Sequence, residues 1–442
     1  MPLKNLHQVL RDQLQNHRQQ LQRLDAEALA RKSGFLRRRP RKIPMVDFLL
    51  ALLALAAESF LTLERVASLI GLATQLSYSK QALHKRLTPA IERFLAQTAT
   101  ALFGQLPEAH SPLQGWLKPF RRVLVHDSTV ETLPDHLAKI FPGSRNQRKG
   151  FAALKIQFIT DLLSAQVLQV SLSGFTRNDQ AAAPDILEVA QPGDLILRDL
   201  GYFVVRAFQW IKDLGAFFLS RCRSDVIFHD PRTGRVLDLA AELRRCGYFD
   251  RQVLLGSQKL LVRLVALPVP EAVANERRRR AKHNRDQRCH PNARRLFLLG
   301  WNLLITNVPK SIWPPKTLLA VYRLRWRIEM IFKAWKSYLG LRQFHCYSAN
   351  MLRLSVMTKL LFCVLVHRCC QALELLGCGV DRHVSLQRLA RVMANCACWV
   401  EALLLGTTPE RLSAHSLAHH AFYELRNDRK NFCELFAEVS TE

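Results

Sequence analysis

Between residues 123 and 219 the apolar residues fall into short runs whose order few folds accept. Val123-Leu124-Val125 leads into His126-Asp127. Lys155 to Asp161 alternates apolar and polar residues, and Gln166 to Leu172 follows after a four-residue connection. Alternation over so few residues marks strands with two different faces, so these three runs are predicted strands, the last two joined as a hairpin. A helical stretch from Asp179 to Ala190 is broken by Gln191-Pro192-Gly193-Asp194. Leu195-Ile196-Leu197, ending at Arg198-Asp199, is a fourth strand. Phe203 to Leu214 is a helix, and Ala216 to Leu219 a fifth strand.

The order β-β-β-α-β-α-β is that of a ribonuclease-H-like α/β core, with three antiparallel strands followed by parallel ones. The flanks differ from it. Residues 1–115 read as helical, and up to about residue 110 Gly appears only at Gly34, Gly71 and Gly104. Residues 222–308 read as a separate β-rich, basic insertion, carrying apolar runs at 253–255, 260–265 and 296–299. The core then resumes over 309–345, so that it comprises 116–221 and 309–345, and 346–442 is again helical. A chain of 442 residues, 49% of them apolar, can bury such a core.

Charge narrows the partner. Lys plus Arg is 64 and Asp plus Glu is 36, a formal net charge of +28. A chain this basic suits a polyanion, and nucleic acid is the commonest. The eleven cysteines include no C-x-x-C pair and sit mostly in apolar runs, as small buried hydrophobes of a reducing compartment do. The polar opening Met1-Pro2-Leu3-Lys4-Asn5 gives no expectation of a secretory signal. The apolar run from Phe48 to Ala57 is about half a membrane span and is read as a buried helix, so a cytoplasmic protein without membrane contact is expected.

A basic knot, Arg37 to Lys42, interrupts the N-terminal helices. Two basic segments are candidate DNA contacts. Leu63–Leu72 and Ser79–Leu87 have helix-turn-helix character, the second capped by Ser79 and displaying Lys80, His84, Lys85 and Arg86. Arg277 to Arg295 holds nine Lys or Arg against Asp286 alone, a density that needs a counter-charge such as phosphate. Arg277, Arg278, Arg279 and Arg280 open it.

The run Tyr322 to Lys336 carries the chemistry. On a helix turning about 100° per residue, Arg325, Glu329 and Lys336 lie roughly −60°, −20° and −40° from Tyr322. Four polar groups share one stripe, while Leu324, Ile328, Ile331, Phe332 and Trp335 face the other way. An i, i+4 salt bridge accounts for Arg325 with Glu329 but not for Lys336. Asp127 and Asp199 close the first and fourth strands, which lie side by side in this strand order. With Glu329 they make a cluster of hard oxygen donors suited to Mg²⁺ or Mn²⁺, and two such ions form a phosphoryl-transfer clamp. Ser128 and His126 are not read as nucleophile and base.

These residues resemble a known family. Tyr322, Arg325, Glu329 and Lys336 match the Y-(2)-R-(3)-E-(6)-K signature of DDE transposases of the insertion-sequence-four type. Val125-His126-Asp127-Ser128 is similar to their first catalytic region, and Arg198-Asp199-Leu200-Gly201-Tyr202-Phe203 to their second. The resemblance covers roughly 120–345. It implies cut-and-paste transposition, with Asp127, Asp199 and Glu329 holding two Mg²⁺ ions (Mn²⁺ can substitute). It implies that Tyr322, Arg325 and Lys336 grip phosphates of the cleaved end. The partners it implies are the element's inverted repeats and target DNA, bound by a homodimer. A hairpin route at the ends would need an aromatic base platform, for which Trp301 is the candidate; Trp326 and Trp335 are read as packing residues. The alternatives are a catalytically silent DNA-binding protein of the same ancestry and a nuclease of the same fold.

Overall fold

The computed structural model describes residues 3–37, 43–56, 61–104, 113–145, 150–164, 166–283, 291–341, 348–377, 382–395, 397–406 and 422–424. Arg38 to Lys42 of the basic knot and 284–290 of the second basic segment lie outside the described residues.

Ten strands form one sheet. They are β1 (Val123–Leu133), β2 (Pro142–Arg145), β3 (Gly150–Asp161), β4 (Val167–Gly174), β5 (Leu195–Arg198), β6 (Phe217–Arg221), β7 (Phe228–His229), β8 (Phe249–Leu255), β9 (Leu260–Pro268) and β10 (Trp301–Thr306). The order across the sheet is β2-β3-β1-β5-β6-β10-β9-β8-β7, with β4 also on β3. β1, β3 and β4 are antiparallel, and β1, β5 and β6 run parallel. This is the ribonuclease-H-like core expected from the order of runs.

The residues 222–308 do not stand apart from it. β10 pairs antiparallel with β6, through Leu304↔Arg221 and Thr306↔Leu219, so the insertion lengthens the core sheet. β6 would otherwise end in a row of open backbone groups, and β10 satisfies them. Two other details differ from the sequence reading. Residues 296–299 belong to a helix, Ala293–Leu298, capped by Asn292, and the strand begins at Trp301. Arg277–Lys282 belongs to a helix that starts at Glu271. Its first turns hold acids that a window opened at Arg277 leaves out.

Strand period divides the core. Leu124, Ile196, Phe218, Leu264 and Ile305 pack on one face of the sheet. Val125, Leu197, Leu219, Val265 and Leu304 pack on the other. The second face is covered by helices from both ends of the chain. Ala90–Gly104 lies on β4, and the 29-residue helix Ala349–Gly377 contacts Leu3–Arg23, Met45–Leu55 and Ala90–Gly104. The helix Ala349–Leu373 is long and apolar enough to cross a membrane, yet most of it is buried inside the protein. The helix-turn-helix segment is present as Leu63–Thr74, capped by Thr62, and Lys80–His84, capped by Ser79.

Candidate active site

The catalytic-looking aspartates occupy equivalent positions on neighbouring strands. Val125 pairs with Leu197 at the end of the β1–β5 ladder. Asp127 and Asp199 each follow two residues later, so both inherit the face of Val125 and Leu197. Asp127 does not close its strand. β1 continues to Leu133 on β3 alone, with Thr129 and Glu131 buried on the same face as Asp127. β5 stops at Arg198, and Asp199 opens a short 3₁₀ turn, Leu200–Tyr202. Where β5 ends, β1 has no neighbour on that side, and a pocket of about 380 Å³ opens.

Helices lay the third carboxylate over this gap. The expected single helix is two consecutive segments, Pro315–Leu324 and Trp326–Tyr338, joined at Arg325 with helical backbone angles. Leu324, Ile328, Ile331 and Trp335 are buried, as the stripe requires, whereas Phe332, about −80° from Tyr322 by the same geometry, is buried beside the stripe and lines the pocket. Trp335 meets Phe158 of β3 edge to face at 5.0 Å, which fixes the helix against the sheet. Trp326 is not a packing residue: it is exposed, at the first position of its segment.

Arg325 is the centre of the site. Its guanidinium lies 3.3 Å from Asp127 Oδ2, 3.8 Å from Asp199 Oδ1 and 2.5 Å from Glu329 Oε1. The Tyr322 hydroxyl donates to Asp199 Oδ1 at 3.3 Å, and the Arg325 guanidinium sits over the Tyr322 ring. The Ser128 N–H donates to Asp127 Oδ1 at 2.8 Å. Lys336 is turned toward β1. Its ammonium donates to the Val130 carbonyl at 3.0 Å and lies 2.6 Å from Glu131.

The electrostatics follow. Burial pushes the Asp127 carboxyl up to about 7; Arg325 and the Ser128 N–H pull it down, while Asp199 and Glu329 add repulsion. Burial alone would lower the Arg325 pKa, but Tyr322 and the three carboxylates outweigh it and raise it. Burial raises the Tyr322 hydroxyl, which stays protonated and able to donate. Three acids thus share one guanidinium, with Lys333 and Lys336 further along the same pocket wall. Among the described residues no three His, Cys, Asp or Glu side chains form a group able to hold a metal ion. Here the guanidinium stands between the acids as their common counter-ion. The donor set itself is the kind a hard divalent ion takes.

A model of the transposase DDE domain matches residues 118–365, more than half of the chain, and spans all of these residues. The chain belongs to the DDE transposase family. It is 29% identical over 334 residues to the transposase for insertion sequence element IS231B of Bacillus thuringiensis subsp. berliner, covering 70% of each chain. It is 27% identical over 288 residues to the transposase for element IS1151 of Clostridium perfringens, covering 60% of each. A piggyBac transposase synaptic complex with hairpin DNA aligns over 91% of this chain and 82% of that one, at 10% identity and a TM-score of 0.41. As a DDE transposase, the chain is an enzyme of DNA cleavage and strand transfer that uses a divalent metal.

The remaining candidates of this transposase lie elsewhere. Trp301 opens β10, half-buried, packed on Phe297 at 6.1 Å. Its carbonyl accepts from Arg277, which also donates to Asn302. Arg278 pairs with Glu271, and Arg279 and Arg280 share Glu276. Lys80 pairs with Glu64 across the two helices of the N-terminal motif, Lys85 is exposed, and Arg86 is half-buried. None of these lines the acidic pocket. Lys333, which does line it, was open to sequence reasoning: it stands four residues after Glu329, one turn along the same helix. Asp179 and Lys155 had no such signal, because each reaches the site's edge only through the fold.

Proposed function

We propose that this transposase cuts its element at both ends and joins the ends to target DNA with two Mg²⁺ ions held by Asp127, Asp199 and Glu329. The observation that carries the reading is the convergence of the three carboxylates on Arg325, two of them at equivalent positions of parallel neighbouring strands. The donors fit the metal: they are three hard carboxylates gathered around one guanidinium at the mouth of one pocket. When bound, the ions supply a nucleophilic oxygen and stabilise the leaving one in phosphoryl transfer.

The protein's own residues do the rest. Tyr322 orients Asp199 by its hydroxyl, and the Ser128 N–H orients Asp127. Arg325 would offer its forked donors to a phosphate of the cleaved end. Lys336 and Tyr322 complete that grip. Trp301 is the base platform, and Arg277–Arg280, Lys80, Lys85 and Arg86 supply cations that track the duplex. The transposase works as a homodimer on DNA in the bacterial cytoplasm. The test is Mg²⁺-dependent cleavage of duplexes carrying the repeats that flank the gene. Asp127→Ala, Asp199→Ala and Glu329→Ala are expected to bind the duplex and not cut it; cutting by any of them removes that residue from the site.

A further inference from the structure

A fourth carboxylate stands behind the site and has a different partner. Asp179 begins the short helix Asp179–Ala182 between β4 and β5. Its Oδ1 lies 2.7 Å from the ammonium of Lys155 on β3, a side chain only 5% exposed. The same oxygen accepts from the Ser128 hydroxyl at 2.7 Å and from the Gln157 amide at 3.4 Å. Gln157 in turn accepts from the buried Tyr202 hydroxyl at 2.5 Å. Its other oxygen faces Gly201, where an added Cβ would lie 2.9 Å from Asp179 Oδ2.

One side chain therefore touches β1 next to Asp127, β3 behind it, and the turn that follows Asp199. The Ser128 backbone holds Asp127 while its side chain is held by Asp179. Lys155 pairs Asp179, so this carboxylate is satisfied where the three around Arg325 are not. A residue with these contacts fixes where two metal-holding oxygens sit relative to each other, and outer-shell partners of this kind tune metal affinity about 10–100-fold.

We infer that Asp179, paired with Lys155, is a positioning residue that sets the separation of Asp127 and Asp199 through Ser128 and Gly201. The inference rests on the metal reading above. The measurement is Mn²⁺ binding by the full chain in complex with a duplex of the element's end, followed by loss of the free-ion EPR signal as MnCl₂ is titrated. Asp179→Asn is expected to raise the half-saturating Mn²⁺ concentration about tenfold, with the duplex affinity and its KM unchanged. A purely structural role would lower the melting temperature and leave the Mn²⁺ midpoint where it was, and that result overturns the inference. If Asp179→Asn fails to fold, Ser128→Ala decides, since it removes one contact of Asp179 and keeps the backbone N–H. A midpoint about threefold higher supports the inference, and one equal to wild type overturns it. Asp127→Ala separates the two levels. If it binds Mn²⁺ as wild type does, the metal reading has failed; if it loses binding while Asp179→Asn and Ser128→Ala keep theirs, only the present inference has.

Discussion

Two places in the molecule put arginine beside carboxylate in opposite proportions. Around Arg325 one guanidinium serves Asp127, Asp199 and Glu329. On the helix Glu271–Lys282 one carboxylate, Glu276, accepts from Arg279 and Arg280. The shifts differ in sign and in cause: burial, only partly offset by Arg325, raises Asp127 to about 7, whereas hydrogen bonds from both arginines lower Glu276 to about 2. On the reading proposed above, the first cluster would take metal and the second, with its surplus of arginine, would meet phosphate.

The sharpest break in that contrast would come from the acids. Loss of any of the three carboxylates is expected to reduce cleavage by 10³ or more, beyond the roughly 10²–10³ of one lost transition-state partner, with duplex binding retained in gel-shift assays. Arg325→Ala should follow at about 10² in cleavage, with Arg325→Lys recovering only part because a point charge replaces a fork. Unlike an exposed i, i+4 pair, Arg325 is mostly buried, so its loss should also lower the melting temperature in EDTA. Added Mg²⁺ should narrow that gap; an equal gap with and without Mg²⁺ would mean that the metal does not replace the guanidinium's charge.

Acidity offers a quieter probe of the same cluster. The Asp127 carboxyl sits higher in the folded chain than its ordinary 3.8, at about 7. The folded state then binds more protons than the unfolded one between those values, so this group makes stability fall as pH rises across that window. Above about 7 its effect is constant. In EDTA, Asp127→Asn should therefore gain melting temperature on wild type from about pH 4 to about pH 7 and hold the gain beyond. A difference that does not change with pH would show that Asp127 titrates normally.

The smallest effect belongs to the other cluster. Neutralising Arg277 to Arg280 together should flatten the slope of log affinity against log salt by about 2, at about 0.9 for each lost contact. Only Arg279 and Arg280 are well exposed; Arg277 and Arg278 are half-buried and donate to backbone carbonyls. A slope that does not move would leave this helix a solvated surface.

How much of this was legible in the sequence follows from what each signal depends on. The strand order and the apolar face of the Glu329 helix were readable because period 2 and period 3.6 are local. The β1–β5 pairing followed from the order and is present. The reach of β1 to Leu133 was hidden, because past Asp127 its inward residues are Thr129 and Glu131, polar groups that face the pocket and Lys336. The counter-charges of Arg278 to Arg280 were hidden by the choice of window, since Glu271 and Glu276 come just before it. Nothing local could indicate that Leu304 to Thr306 would join β6, or that Lys336 would meet Glu131 from 205 residues away. Those depend on which edges the fold leaves open.

The insertion lies between Asp199 and Glu329, and its last strand, β10, is hydrogen-bonded to β6. On a ribosome adding about 5–20 residues per second, Glu329 is made roughly ten seconds after Asp199. During that interval the nascent chain carries its basic N-terminal helices and two of its three acids, but no Arg325 and no Glu329. On the reading proposed above, such a chain could meet DNA without being able to cut it, and so could any product that stops within the insertion.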